Sequence, residues 1–253
     1  VAPYGIIRFS KTMLGLPPFD FLALVYFLCV WFFYSIVIEH SVHGATSLNA
    51  LMHQYRDRWM IEMLARPVRI VDSQVTASLQ NGTAFFASTS LIAVGGALTL
   101  LRSTEEILTV VSLLPFAGAP SRELWEAKML GLAVIFVYAF FKFAWAYRLY
   151  NYVAIMIGAA PPVSQKNGHH ARQLAYRAAH VCSDAGRHFN RGQRAFFFAL
   201  GYLGWFLGPL PFAITTTGIV IVIYRRQFYS ESRIAFSADR VFVAPKRAPS
   251  KQR

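Results

Sequence analysis

The run AFFFALGYLGWFLGPLPFAITTTGIVIVIY, residues 195–224, lies between Arg194 and Arg225 and holds no charged residue. Thirty uncharged residues in a row mark a segment that leaves water for lipid. As a straight α-helix the run is about 45 Å long, against a hydrocarbon core of about 30 Å. It is too long for one straight span and too short for two. Gly208-Pro209-Leu210-Pro211 interrupts it near the middle. Two geometries fit. One is a Pro-kinked, tilted single span with interfacial ends. The other is a re-entrant hairpin turning at Gly208, its halves of about 20 Å dipping in without crossing. The kinked, tilted span over 195–224 is the expectation carried forward, with Gly208, Pro209 and Pro211 as its structural break.

The rest of the chain supports a membrane setting. Of 253 residues, 55% are hydrophobic and only 15% are charged, whereas soluble domains carry about a quarter. Mean hydropathy is +0.40. These values predict an all-α integral membrane protein, with one bundle of about four transmembrane helices over residues 1–226. Its helices are extended or amphipathic on the cytoplasmic side. The 25 Lys and Arg exceed the 12 Asp and Glu, a net charge of +13. Next to lipid, such an excess sets orientation and attracts anionic headgroups, and nucleic acid is not an expected partner. Cys29 and Cys182 are the two cysteines, one in an apolar span and one in a basic loop, so no disulfide framework is implied. The first apolar run ends in Ile38-Glu39-His40, not in a small-residue cleavage site, so no signal peptide is expected.

Apolar runs place spans near 19–38, 83–101, 129–147 and 195–224. Pro17-Pro18 and Asp20 suit the start of the first. Leu48, Leu51, Met52, Tyr55, Trp59 and Met63 recur at spacings of three and four among charged residues, which predicts an amphipathic helix near 47–66. A second is expected near 169–188, where Leu174, Ala178, Cys182, Ala185 and Phe189 share a face. The second span holds Ala87, Ser88, Ser90, Gly95 and Gly96, small residues that allow close helix approach. Residues 227–253 read as a basic, largely disordered tail.

The first and third connecting segments hold eleven Lys and Arg, against five in the N-terminal segment and second connection. The positive-inside rule therefore puts the first and third in the cytoplasm. A single fourth span then sends the eight basic residues from Arg225 onward to the outside, in conflict with that rule. A hairpin at Gly208 removes the conflict.

Candidate functional residues are few. A cation near a span centre costs about 2.5–3.5 kcal/mol on insertion scales, and Lys142 is such a residue. It either snorkels toward Arg148 or pairs with Asp20, Glu39, Asp72 or a bound anion. Lys142, Arg148, Arg69, Arg191 and Arg194 are the candidates for an anion- or lipid-binding site at the cytoplasmic mouth. A collar of ion pairs is the structural alternative. Glu39 and His43, an i, i+4 pair, are weak metal candidates without a second pair at diagnostic spacing. No phosphate loop, nucleophile elbow or zinc motif occurs, so no catalytic residue and no cofactor are expected, and a bound phospholipid is compatible with the pattern.

Several stretches resemble the bacterial branch of the domain-of-unknown-function family 599. They are Tyr55-Arg56-Asp57-Arg58-Trp59-Met60, Arg69-Ile70-Val71-Asp72, Phe85 to Ser90, Phe141-Lys142-Phe143 with Trp145, Arg148 and Asn151, Phe189-Asn190-Arg191-Gly192 with Arg194, and Trp205 to Pro211. The resemblance runs in order over roughly residues 25–229. It implies a bacterial inner-membrane, multi-pass protein of about four spans with no assigned activity, and it carries over no catalytic residues. The leading expectation is a non-enzymatic accessory, structural or assembly subunit, binding a larger membrane complex or itself, together with anionic phospholipid. A small transporter or channel for an anionic solute or lipid is the alternative, and a metal-dependent membrane enzyme is third.

Overall fold

A computed structural model describes residues 16–40, 48–112 and 121–229. Seven α-helices account for most of them: α1 (Pro18–His40), α2 (Leu48–Met63), α3 (Ile70–Arg102), α4 (Thr104–Ser112), α5 (Arg122–Gly158), α6 (His169–Tyr202) and α7 (Pro209–Phe228). No strand is assigned among the described residues. Three helices are long and apolar enough to cross a membrane, within Pro18–Ile36, Ile70–Arg102 and Arg122–Gly158. Large side chains such as Phe19, Phe33, Ile92 and Phe141 stand exposed on them. An exposed apolar surface of that extent belongs to a protein whose solvent is lipid.

Helices α3, α5 and α6 have 33, 37 and 34 residues. At about 1.5 Å per residue each is some 50 Å or longer, well beyond a hydrocarbon core. The surplus builds a second core. The first core is aromatic and joins α1, α5 as far as Phe143, the end of α6 and α7, through Phe27, Phe143, Phe198, Trp205 and Phe212. The second joins α2, the end of α5 and the first half of α6, through Met60, Met63, Val153, Ala175, Ala178 and Cys182. Its alanines let α6 lie close to its neighbours, while Arg172, Arg177 and Arg187 stay exposed.

The sequence predicts separate elements over 169–188 and 195–224, but α6 runs unbroken from His169 to Tyr202. A 3-10 turn follows over Leu203–Leu207, and Gly208 has φ +131° and ψ 171°. Only glycine adopts that region at low cost. The chain then reverses. Thr215 Oγ1 donates to the Gly201 carbonyl at 2.7 Å. Trp205 stacks on Phe212 at 5.1 Å, and Arg226 lies over the Phe197 ring at 5.9 Å. Residues 195–224 thus form an antiparallel hairpin, not the expected kinked, tilted span. The reason is local. Pro209 and Pro211 fall in the first turn of α7, where their missing N–H groups have no helical partner to lose. They begin a helix and do not kink one.

Two further expectations change. Gly95 and Gly96 of α3 approach no neighbour, and the apolar window of α3 is only 11% buried. The small-residue face divides: Ser90 is buried and Ala87 packs against the first core, while Gly95 and Gly96 meet no neighbour among the described residues. Helix α7 continues through Phe228, past the expected start of a disordered tail, and residues from 230 onward lie outside those described.

Candidate functional site

Helix α1 packs on α7, with Tyr26 and Thr217 hydroxyls 2.7 Å apart. It meets α6 through its rings, with Trp31 stacked on Phe198 at 5.1 Å. The backbones of α1 and α5 stay apart. The gap between them is a groove of about 530 Å³ floored by α6. Phe27, Trp31, Val134 and Tyr138 line it, and the exposed rim residues Phe32 (64%) and Val134 (60%) open it sideways.

One end of the groove is closed by a polar knot. The Trp205 indole N–H donates to Asp20 Oδ1 at 2.6 Å. Lys128 Nζ donates to the Trp205 carbonyl at 2.8 Å and lies 3.4 Å from Asp20 Oδ1. Asp20 and Lys128 are only 7% and 4% exposed. The carboxylate, the ammonium and the Trp205 carbonyl, which also accepts the Gly208 N–H at 3.1 Å, satisfy one another, as buried polar groups must. The knot ties the start of α1, the start of α5 and the hairpin turn into one end of the bundle.

The opposite end is cationic. Arg191 and Arg194 of α6 line it, both half-buried. On α5, Lys142 sits over the ring of Tyr138 at 5.1 Å, and Tyr138 is itself a groove residue. Phe143, the next residue, lies against Gly192, where an added Cβ would stand 2.7 Å from the ring. Lys142 is therefore level with Arg191. Of the five candidate residues, Arg191 and Arg194 line this end, and Lys142 stands at the same level on α5 without lining the groove.

The other two lie elsewhere. Arg69 reaches the end of α5, donating to the Ala160 and Pro161 carbonyls at 2.7 and 2.5 Å. It satisfies the carbonyls of the two residues after the α5 C-cap, a hydrogen-bonding role that fixes the start of α3 to the end of α5. Arg148 lies on the exposed side of α5, donating from Nε to the Tyr152 hydroxyl at 2.6 Å and facing Trp145. Neither Asp20 nor Asp72 is the partner of Lys142. Asp20 takes Lys128, and the buried Asp72 accepts from Trp59 Nε1 at 2.7 Å and pairs with Arg66. His43 and the side chain of Glu39 lie outside the described residues. Among the described residues no three His, Cys, Asp or Glu side chains form a group able to hold a metal ion.

Sequence reasoning misses Lys128 and Trp205. Charge counting assigns Lys128 to a connecting loop, yet it is the seventh residue of α5, in the register set by the Ser121 cap, whose hydroxyl accepts from Leu124 N–H. The usable signal is charge at helical depth next to an uncharged run. In the second core, away from the apolar spans, Cys182 is fully buried beside Arg56. Burial pushes its thiol up from 9.0 to about 11, and the Arg56 charge opposes only part of that shift.

The long apolar helices, the lipid-exposed surface and the buried polar knot define an all-helical integral membrane protein. The profile of the family described as "Protein of unknown function, DUF599" matches residues 22–232, and the chain belongs to that family. No curated protein and no solved structure matches it.

Proposed function

We propose that this protein is a non-enzymatic component of the membrane that holds an anionic amphiphile in the groove between α1 and α5. The observation that carries the reading is the pairing of an apolar, sideways-open cleft of about 530 Å³ with Arg191 and Arg194 at one end. An acyl chain suits the walls, and an acidic headgroup suits the cations. The cationic end faces the cytoplasm in this reading. The hairpin supports that orientation, because it returns Arg225 and Arg226 to the level of Arg194 and removes the charge conflict of a single fourth span. An accessory role in a larger membrane assembly fits the uncovered face of α3.

The test is lipid extraction from the purified protein together with the variant Val134→Trp, which fills the groove from its rim. The expected result is a co-purifying anionic phospholipid that the variant no longer carries. Purification without lipid, or an unchanged lipid content in the filled variant, overturns the reading. Thiol labels placed at 163–167 and after Phe228 check the orientation, and both must react from the same side. A native-membrane extract in which the chain migrates alone as a monomer counts against the accessory role.

A further inference from the structure

Arg194 lines a second cavity as well as the groove. This one is about 130 Å³, enclosed by α1, α2, α6 and α7. Its wall joins the polar groups of Tyr34, Asn49, Asn190, Arg194, Arg226 and Gln227 to Phe197 and Ile223, and no carboxylate is among the lining residues described. The volume corresponds to about four water molecules. Asn190 Nδ2 donates to Asn49 Oδ1 at 3.0 Å, which fixes one wall.

Two of its polar atoms are orphaned. Tyr34 Oη and Gln227 Nε2 are buried and make no hydrogen bond among the described residues. Tyr34 as a whole is only 6% exposed. Groups so deeply buried normally have a partner. Both can donate, and both line a cavity that Arg194 and Arg226 also line. Convergent donors beside guanidinium charge are the recognition chemistry of an oxyanion. The depth fits too. Arg225 and Arg226 end the uncharged run of α7, so the cavity lies where the chain turns polar, at headgroup level.

We propose that this pocket seats a phosphate-type oxyanion, with Arg194 and Arg226 on its charge and Tyr34 and Gln227 as neutral donors. Because Arg194 borders both cavities, a phosphodiester here with its apolar tail in the groove makes one phospholipid site, and in that form the proposal rests on the lipid-binding reading above. A free phosphate ion would use the same donors.

The experiment uses the full chain in phosphatidylcholine nanodiscs, titrated with phosphatidylglycerol or with inorganic phosphate. Binding is read from the thermal midpoint and from competition with a labelled lipid. Wild type is expected to prefer phosphatidylglycerol by about tenfold or more, the worth of a charge-assisted hydrogen bond. Arg226→Gln removes that preference and leaves phosphatidylcholine retention unchanged. Tyr34→Phe weakens phosphatidylglycerol without lowering the lipid-free midpoint, since it deletes a hydroxyl that has no partner. Gln227→Leu makes the same test from α7. Equal binding of the two lipids by wild type overturns the headgroup pocket and leaves the groove reading standing. Retention of neither lipid overturns the groove reading. The phosphate titration then decides the pocket: a saturable midpoint rise that Arg226→Gln abolishes sustains it as a free-phosphate site, and no rise overturns it.

Discussion

Replacing Lys128 by Met tests whether the polar knot holds the closed end of the bundle together. In the native protein Lys128 Nζ is 2.8 Å from the Trp205 carbonyl and 3.4 Å from Asp20 Oδ1, and both charged groups are almost wholly buried. Methionine keeps most of the volume and removes the charge and the donor. The Asp20 carboxylate keeps the Trp205 indole as a donor but loses its counter-charge, and the Trp205 carbonyl loses its lysine. Breaking a buried ion pair from one side costs about 3–5 kcal/mol, because the surviving charge has no compensation. The Trp205 indole still donates to the carboxylate, so a loss of about 3 kcal/mol, the lower end of that range, is expected.

Asp20→Asn in the same background discriminates charge from packing. The substituted amide still accepts from the Trp205 indole and carries no charge, so the double variant should recover at least about 1.5 kcal/mol relative to additivity. The assay is reversible unfolding in mixed micelles, followed by circular dichroism for wild type, both single variants and the double. A Lys128→Met loss below about 1 kcal/mol, or strict additivity in the cycle, refutes the idea that the pair is electrostatically coupled in a water-poor site.

Gly208→Ala should cost about 1–3 kcal/mol through backbone conformation alone, since an added Cβ meets nothing nearer than Pro211 Cδ at 3.7 Å; the same unfolding assay checks it. Arg69→Ala should speed hydrogen exchange around 157–162, where two carbonyls lose their donor, and leave lipid preference intact. Loss of phosphatidylglycerol preference in this variant would instead return Arg69 to the anion site. Cys182 should resist maleimide at pH 7 in the folded protein and react after denaturation, as read by mass spectrometry. Its thiol is pushed up to about 11, so the stability gained by burying it neutral is complete below pH 9 and declines as the pH climbs toward 11.

The long apolar helices were legible because hydropathy over some twenty residues is a local property. The hairpin was half-legible. A Gly followed at once by Pro, with a second Pro two residues on, is the punctuation of a helix end and a new start, and this local rule argues against a kink. What pulls the reading the other way is span arithmetic, which treats the run as beginning at Arg194. In the structure α6 begins at His169, so its apolar end needs no full span of its own. The anion-site candidates divide for a related reason. Lys142, Arg191 and Arg194 share one level because Phe143 packs on Gly192, a tertiary contact with no sequence signature. Arg69 looks the same in sequence but finds two carbonyls just past the end of α5, about ninety residues away. Tyr34 and Gln227 carry no signal at all, since an orphaned donor is defined by what surrounds it.

The two cores meet at the same turn of α6, and that coincidence explains why the cations sit where they do. N-terminal to Gly186 the helix presents alanines to a core whose outer surface is charged; beyond Ala195 it presents rings to lipid-level aromatics. The turn between them must satisfy both neighbours. Gly192 brings the helix against the Phe143 ring, and Phe143 in turn stacks on Phe86 of α3 at 5.3 Å, so α3, α5 and α6 are pinned together here. With that face of the helix committed to packing, Arg191 and Arg194 are turned toward α1, where α5 does not follow. The groove and its cationic end therefore have one origin: a close α5–α6 approach that leaves α1 held by α7 instead of by α5. Gly192→Ala tests this directly. It should loosen the seam and displace both arginines, lowering anionic-lipid preference together with stability, whereas a surface substitution such as Arg148→Gln should change neither.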